Sequence, residues 1–202
     1  MSPRIEAASV EKHVRQQTEK LLDTANSLFR KHGYKDTDMR QIAEQMGLAR
    51  SSLYRYYPNK ESILLACIER DMAPLLESFE ELDACIDSPL RRISTWLDLQ
   101  IEAATGPAHA TMQMMREIRA ASPEFRGRVM QLHEQPVTIL RSSLDSIDAL
   151  ARRDRAALAS MIMGMVQSAA MHIIQHGEKQ SVLRELKVSV AQMLGVKALP
   201  ED

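Results

Sequence analysis

The chain has 202 residues, of which 45% are apolar and 4% aromatic, with seven glycines and eight prolines. This length and apolar share suit one medium domain or a small domain joined to a larger one, and the few turn formers, with no alternating β-branched run, exclude a loop-rich all-β protein. The net charge of −1 excludes indiscriminate polyanion binding, although residues 1–62 carry eleven Lys/Arg against eight Asp/Glu and the remainder fifteen against nineteen.

In chain order, residues 1–13 show no apolar period and are expected to form a flexible basic arm containing Arg4 and Lys12, with Arg15 just beyond. From about Val14 to His32, Leu21, Leu22, Ala25, Leu28 and Phe29 recur at three- and four-residue steps, and Gly33 stops the helix they predict. Thr37 is read as the N-cap of the next helix, whose apolar face is Ile42, Ala43 and Met46. Gly47 supplies the left-handed turn that ends it. Leu48 and Leu53 bracket a further short helix whose other face is Arg50, Ser51, Ser52 and Arg55. Ala43, Gly47 and Leu53 occupy the small, turn and apolar-anchor positions of a helix-turn-helix unit. Its core is expected at Leu22, Ala25, Phe29, Ile42, Ala43, Met46, Leu53 and Tyr57, within a DNA-binding domain spanning 14–62.

Asn59 should cap the following helix, and Pro74 should kink or divide it. Pro89 to about Ala104 reads as a helix containing Trp96, and His109 to about Ala121 as another. Ser122-Pro123 opens a helix from Phe125 to about Ile147 that Pro136 should bend. Ala156 to Ile174 is the most apolar segment, and a last helix covers about Ser181 to Leu194. The expected fold is all-α with about nine helices: three in the N-terminal unit, then a bundle over 63–196 and a tail over 197–202.

No apolar run approaches the roughly 20 residues of a membrane span, and no signal-peptide pattern opens the chain, so no membrane association is expected. Cys67 and Cys85 lack metal-ligand spacing and fit a reduced, cytoplasmic setting. The signatures of catalysis are missing: no glycine-rich phosphate loop, G-x-S-x-G, H-E-x-x-H or C-x-x-C. Neither an enzyme nor a cofactor is expected. His172 and His176, four apart on one helix face, could hold a metal, but without a third ligand nearby in sequence they read as a surface or interface pair, and no metal site is assigned.

The string GYKDTDMRQIAEQMGLARSSLYRYYPNKESIL resembles the tetracycline-repressor (TetR) family of bacterial transcription regulators. The resemblance is carried by Gly33-Tyr34, Thr37, Ile42-Ala43, Gly47-Leu48, Leu53-Tyr54, Tyr57 and Lys60-Glu61, with Phe29 before and Leu64 after. It covers about residues 17–65, and Ser51 departs from it where many relatives have glycine. The resemblance implies a ligand-responsive DNA-binding regulator. Its partners would be double-stranded DNA with a palindromic operator, a second copy in a homodimer, and a small apolar or amphipathic effector whose binding releases DNA. A ligand-independent or activating DNA-binding protein of the same fold remains the alternative.

Among the DNA-facing residues, Arg50 can contact guanine bidentately, Ser51 and Ser52 are short enough to let the helix sit deep in the groove, and Arg40 can reach a base or phosphate. By position in the family, Thr37, Tyr54, Tyr56 and Lys60 match phosphate contacts, and Arg55 can serve either role. A pliable apolar pocket is expected around Trp96, Met112, Met115, Phe125, Met130 and Met163, since methionine adapts to varied apolar shapes. His109, Gln113, Arg116, His133 and Gln167 would supply polar handles. The dimer face is expected on Met161, Gly164, Met165, Ser168, Ala169, His172 and Ile173, and on Val182, Leu186 and Val190 of the last helix, Gly164, Ser168 and Ala169 being small enough for close helix approach.

Overall fold

A computed structural model describes residues 3–106 and 121–200, with side chains from Lys12 onward. Every regular element among these residues is helical. Helix α1 (Pro3–His32) begins eleven residues before the expected start near Val14, so the segment read as an arm is helical backbone. The reason is local: proline is tolerated at a first helical position, and Glu6, Ala7, Ala8 and Glu11 are good helix formers.

Helix α2 (Met39–Met46) is capped by Asp38, not by Thr37. Asp38 Oδ1 accepts from the Gln41 N–H at 2.8 Å, while Gln41 Oε1 accepts from the Asp38 N–H at 2.7 Å. This reciprocal pair is the D-x-x-Q capping box. Thr37 is only 1% exposed, and its hydroxyl donates to the Gly33 carbonyl at 2.8 Å. Gly47 ends α2 at φ 68°, with the Gly47 and Leu48 N–H groups donating to the carbonyls of Glu44 and Ala43. Helix α3 (Arg50–Leu53) is short, but its hydrogen bonding carries on to Tyr57, whose N–H donates to the Leu53 carbonyl. Helix α4 (Lys60–Cys85) starts at the expected Asn59 cap and continues through Pro74 without dividing.

The chain forms two compact units. The first comprises residues 3–71 with 121–127. Its core joins Leu21, Leu22, Ala25 and Phe29 of α1 to Ile42, Ala43 and Met46 of α2, Leu53 of α3, and Ile63, Leu64, Cys67 and Ile68 of α4. Tyr57, expected in this core, is half-buried. The unit does not stop at residue 62. Cys67 Sγ lies 3.6 Å from the Leu22 carbonyl, Arg70 pairs with Asp23 at 2.8 Å, and Asn26 donates to Asp71 at 3.2 Å. A three-helix unit buries too little surface alone, and the first three turns of α4 complete it.

The second unit comprises residues 72–106 and 128–200. It holds α5 (Pro89–Thr105), most of α6 (Pro123–Asp145), a 3-10 turn (Asp148–Leu150), α7 (Arg155–His176) and α8 (Lys179–Leu194). Eight α-helices thus stand among the described residues; the expected helix from His109 falls almost wholly outside them. Ile93, Trp96, Leu97 and Ile101 of α5 pack with Leu158, Ile162 and Val166 of α7 and with Leu186, Val190 and Leu194 of α8. Ion pairs from Lys187 to Asp98, at 2.6 Å, and from Lys179 to Glu102 fasten α8 along α5. Helix α6 runs through Pro136, whose carbonyl accepts the buried Trp96 indole N–H at 2.7 Å.

Contrary to the sequence expectation, α7 has the length and composition of a membrane span, with a mean hydropathy of 1.5 over an 18-residue window. Its Leu158, Ala159, Ile162, Val166, Ala170 and Ile173 are buried in the unit's own core, whereas Met161, Met171 and Ile174 are exposed.

Burial pushes the Cys67 thiol up to about 12, whereas Cys85 is exposed. Because the thiolate is the nucleophile, iodoacetamide should alkylate Cys85 in the native protein and Cys67 only after unfolding. In the unfolded chain the Cys67 thiol ionises from about pH 9, but in the fold it stays protonated to about 12. Stability should therefore fall as pH rises through that window, and chemical denaturation of Cys67→Ala should show a shallower fall.

Candidate nucleic-acid interface

Arg50 and Ser51 project from α3 into solvent, Ser52 is half-buried, and Leu53 is fully buried beneath them. The short helix is thereby fixed by one apolar anchor and presents its polar face outward. The Arg50 guanidinium donates to the Tyr54 hydroxyl at 3.1 Å and stands 5.5 Å from the Tyr54 ring centroid. That hydrogen bond raises the Arg50 pKa, with the nearby Asp38 charge adding to it. A guanidinium hydrogen-bonded to its neighbour one turn along is oriented before any partner arrives. The Tyr54 hydroxyl accepts from Arg50 and keeps its own proton to donate elsewhere.

Arg55 is exposed and its guanidinium reaches the Ser52 hydroxyl at 3.4 Å, so Ser52 positions a cation as well as leaving space. Tyr56 is half-buried. Arg40, on the exposed side of α2, pairs with Glu44 at 3.8 Å with both side chains well solvated, a geometry contributing little to stability. Arg40, Arg50 and Arg55 are thus exposed cations on the helix-turn-helix segment, with Tyr54 among them.

Two expected phosphate contacts are used inside the protein instead. Thr37 is buried, as described, and its side chain is out of reach of a phosphate. Lys60 Nζ donates to the carbonyls of Tyr34 (2.5 Å), Thr37 (2.6 Å) and Lys35 (3.3 Å), and lies 4.3 Å from the Tyr34 ring centroid. An ammonium has three donors, and three carbonyls take them. The lysine at the start of α4 thereby closes the connection between α1 and α2. Beneath it the Tyr34 hydroxyl is pushed up to about 12 by burial, with the Glu61 charge adding to the shift, and its ring packs 5.4 Å from Phe29.

The capping role of Asp38 was legible in D-x-x-Q; the Lys60 tie was not, because it depends on the path of the backbone between two helices. A second missed contact is that of Glu61, whose Oε1 accepts the Ser122 N–H at 2.9 Å. Ser122 in turn caps α6 through the Phe125 N–H at 3.1 Å.

The residues expected to line an effector pocket lie only in part among the described ones. Met112, Met115, His109, Gln113 and Arg116 lie outside the described residues. Trp96 is core with its N–H satisfied, and Phe125 is buried in the first unit. Met130 is 73% exposed, His133 and Gln167 are exposed, and Met163 is half-buried. The His133 ring lies 2.8 Å from its own helix's Val129 carbonyl. A surface groove of about 490 Å³ in the second unit is lined by Glu80, Asp83, Ala84, Gln131, Glu134, Gln135, Thr138 and Ile139, none of them among the expected residues.

Of the expected dimer face, Met161, Gly164, Ser168 and His172 are exposed, and Met165, Ala169 and Val182 are half-buried. Ile173, Leu186 and Val190 are instead buried in the protomer's own core. Apolar character alone does not separate these sets, since α7 is apolar around most of its circumference. Met171 and Ile174 are exposed apolar residues that the expected set omitted, and Val188 of the last helix is exposed as well.

Lys60→Met should lower the free energy of unfolding by about 1.5–3 kcal/mol, the range for hydrogen bonds to a charged group. Denaturant unfolding of the full chain measures this, and an unchanged midpoint would remove the structural role assigned to Lys60.

Comparison with known proteins agrees with this geometry. Residues 21–67 match the family model for bacterial regulatory proteins of the tetR family. Over 178 residues the chain is 21% identical to the fatty acid metabolism regulator protein of Bacillus subtilis, covering 86% of this chain and 91% of that one. Over 155 residues it is 26% identical to the HTH-type transcriptional regulator RutR of Escherichia coli, covering 73% and 70%. Among solved structures, FadR of Bacillus subtilis in complex with stearoyl-CoA superposes with a TM-score of 0.65 at 20% identity, covering 87% of this chain and 96% of that one. Residues 21–67 thus carry the domain of the tetR family of bacterial regulatory proteins, and the chain is a DNA-binding transcriptional regulator.

Proposed function

We propose that the protein is a homodimeric repressor that reads a palindromic operator through α3 and is released by an apolar or amphipathic effector. The observation that carries this reading is the exposed, pre-oriented Arg50 on a short helix anchored by Leu53. Arg50 makes the bidentate guanine contact, with Ser51 and Ser52 allowing close approach and Arg40 reaching an adjacent base or phosphate. Tyr54, Arg55 and Tyr56 hold phosphates and set the register. Thr37 and Lys60 have no place in this set.

Dimerisation is supported by α7. Its Met161, Met171 and Ile174 stand exposed around Gly164 and Ser168, an apolar face that a second copy would cover. Two copies related by a two-fold axis present two α3 helices, and operator half-sites about 34–36 Å apart on one DNA face accept little error in that spacing.

Effector control is supported by the first turn of α4. Lys60 ties the α1–α2 connection, and the adjacent Glu61 receives the N–H that opens α6. A displacement of α4 or of the start of α6 is thereby delivered to the helix-turn-helix segment. The effector must bind the DNA-incompetent arrangement more tightly than the competent one, because equal affinity shifts nothing. That a relative's structure holds stearoyl-CoA makes long-chain acyl-CoA thioesters the first compounds to test.

Operator binding across single-base variants tests the central assignment. Arg50→Ala should lose about 1–3 kcal/mol of discrimination at one symmetric base pair while keeping non-specific affinity. Unchanged base preference in that variant would exclude Arg50 as the reader.

A further inference from the structure

Arg50 and Tyr54 stand one turn apart, and the Tyr54 N–H donates to the Arg50 carbonyl at 3.3 Å, so the two side chains share one face. The neighbouring Leu53 is fully buried and anchors the turn. Arg50 Nη2 donates to the Tyr54 hydroxyl at 3.1 Å, and the guanidinium carbon lies 5.5 Å from the Tyr54 ring centroid, within cation–π reach. A guanidinium has five N–H donors, and a phenol has one donor beside its acceptor lone pairs. This contact therefore uses one donor of Arg50 and leaves the Tyr54 proton to a further acceptor. Both side chains remain exposed. One hydroxyl can thus serve the sugar-phosphate backbone of DNA and the base reader at once.

We propose that the Tyr54 hydroxyl is a bridge that positions Arg50 for base readout, accepting from the guanidinium while donating to a DNA phosphate. The proposal rests on the reading that Arg50 recognises a base and Tyr54 a phosphate, and it adds the coupling of the two. With the phosphate seated the phenol is fixed, and the guanidinium bonded to it presents its remaining donors to one base pair. The phosphate charge polarises the phenol O–H, which makes its oxygen a better acceptor for Arg50. An arginine held by a fixed neighbour also loses less side-chain freedom on meeting its base. A tyrosine that touched phosphate alone would contribute the same factor on every sequence. A bridging tyrosine contributes more on the operator than on a duplex altered at the Arg50 base pair.

The test measures binding of the full-length protein to duplex DNA by fluorescence anisotropy. The duplexes are an operator selected by the wild-type protein from a randomised pool, and that operator altered at single symmetric base pairs. The readout is the ratio of affinities for the operator and for the duplex altered at the pair that Arg50→Ala ceases to distinguish. Tyr54→Phe keeps the ring and removes only the hydroxyl, and it should lower that ratio about two- to tenfold, the range for one hydrogen bond. In the Arg50→Ala background the same substitution should leave the ratio unchanged and weaken all duplexes alike. Thermal unfolding checks that each variant is folded. Equal weakening of operator and altered duplexes by Tyr54→Phe, or an equal fall in the ratio with and without Arg50, would overturn the proposal. Those results leave Arg50 as the reader. Only Arg50→Ala with every ratio at its wild-type value would remove that reading, and the bridge with it.

Discussion

The helix-turn-helix segment depends on one ammonium group. Lys60 Nζ holds the carbonyls of Tyr34, Lys35 and Thr37, where the chain passes from α1 to α2. Without that tie, the connection would expose its backbone polar groups beside a buried threonine and a half-buried tyrosine. With it, Asp38 stands where it caps α2, α2 delivers Gly47, and the turn at Gly47 sets α3 over Leu53 with Arg50 outward. The cation is fixed by the protein so that other cations can be displayed.

Residue type and position alone do not reveal the interior contacts of Lys60 and Thr37. Both match family positions associated with phosphate, and both lie beside the DNA-facing surface in sequence. What distinguishes them from Arg50 and Arg55 is where the local backbone carbonyls point, which no periodicity encodes. Features that rest on local rules were legible. The apolar spacing of α1 and α2, the left-handed Gly47, the Asn59 cap and the Ser122 cap all stand as read. The Asp38 cap was equally available in D-x-x-Q but was passed over for the neighbouring threonine.

The second unit was less legible for a different reason. Its helices carry more apolar residues than a single buried face requires, so hydrophobicity does not say which face turns inward. On α7, Ile173 was expected outside and lies inside, whereas Met171 and Ile174, left out of the expected face, are exposed. On α8, Leu186 and Val190 fill the protomer core against α5 and α7, fastened by Lys187 and Asp98. Trp96 behaves likewise: an indole reads as a ligand platform in sequence, but its N–H belongs to the Pro136 carbonyl. A proline in mid-helix thus marks a place where α5 meets α6.

The salt dependence of operator affinity in Lys60→Met tests the account most directly. If Lys60 acts by holding the α1–α2 connection, the slope of log affinity against log salt stays at the wild-type value while affinity and thermal stability both fall. A slope smaller by about one unit, with stability unchanged, is what loss of a direct phosphate contact produces, and that result would contradict the central role given to this residue.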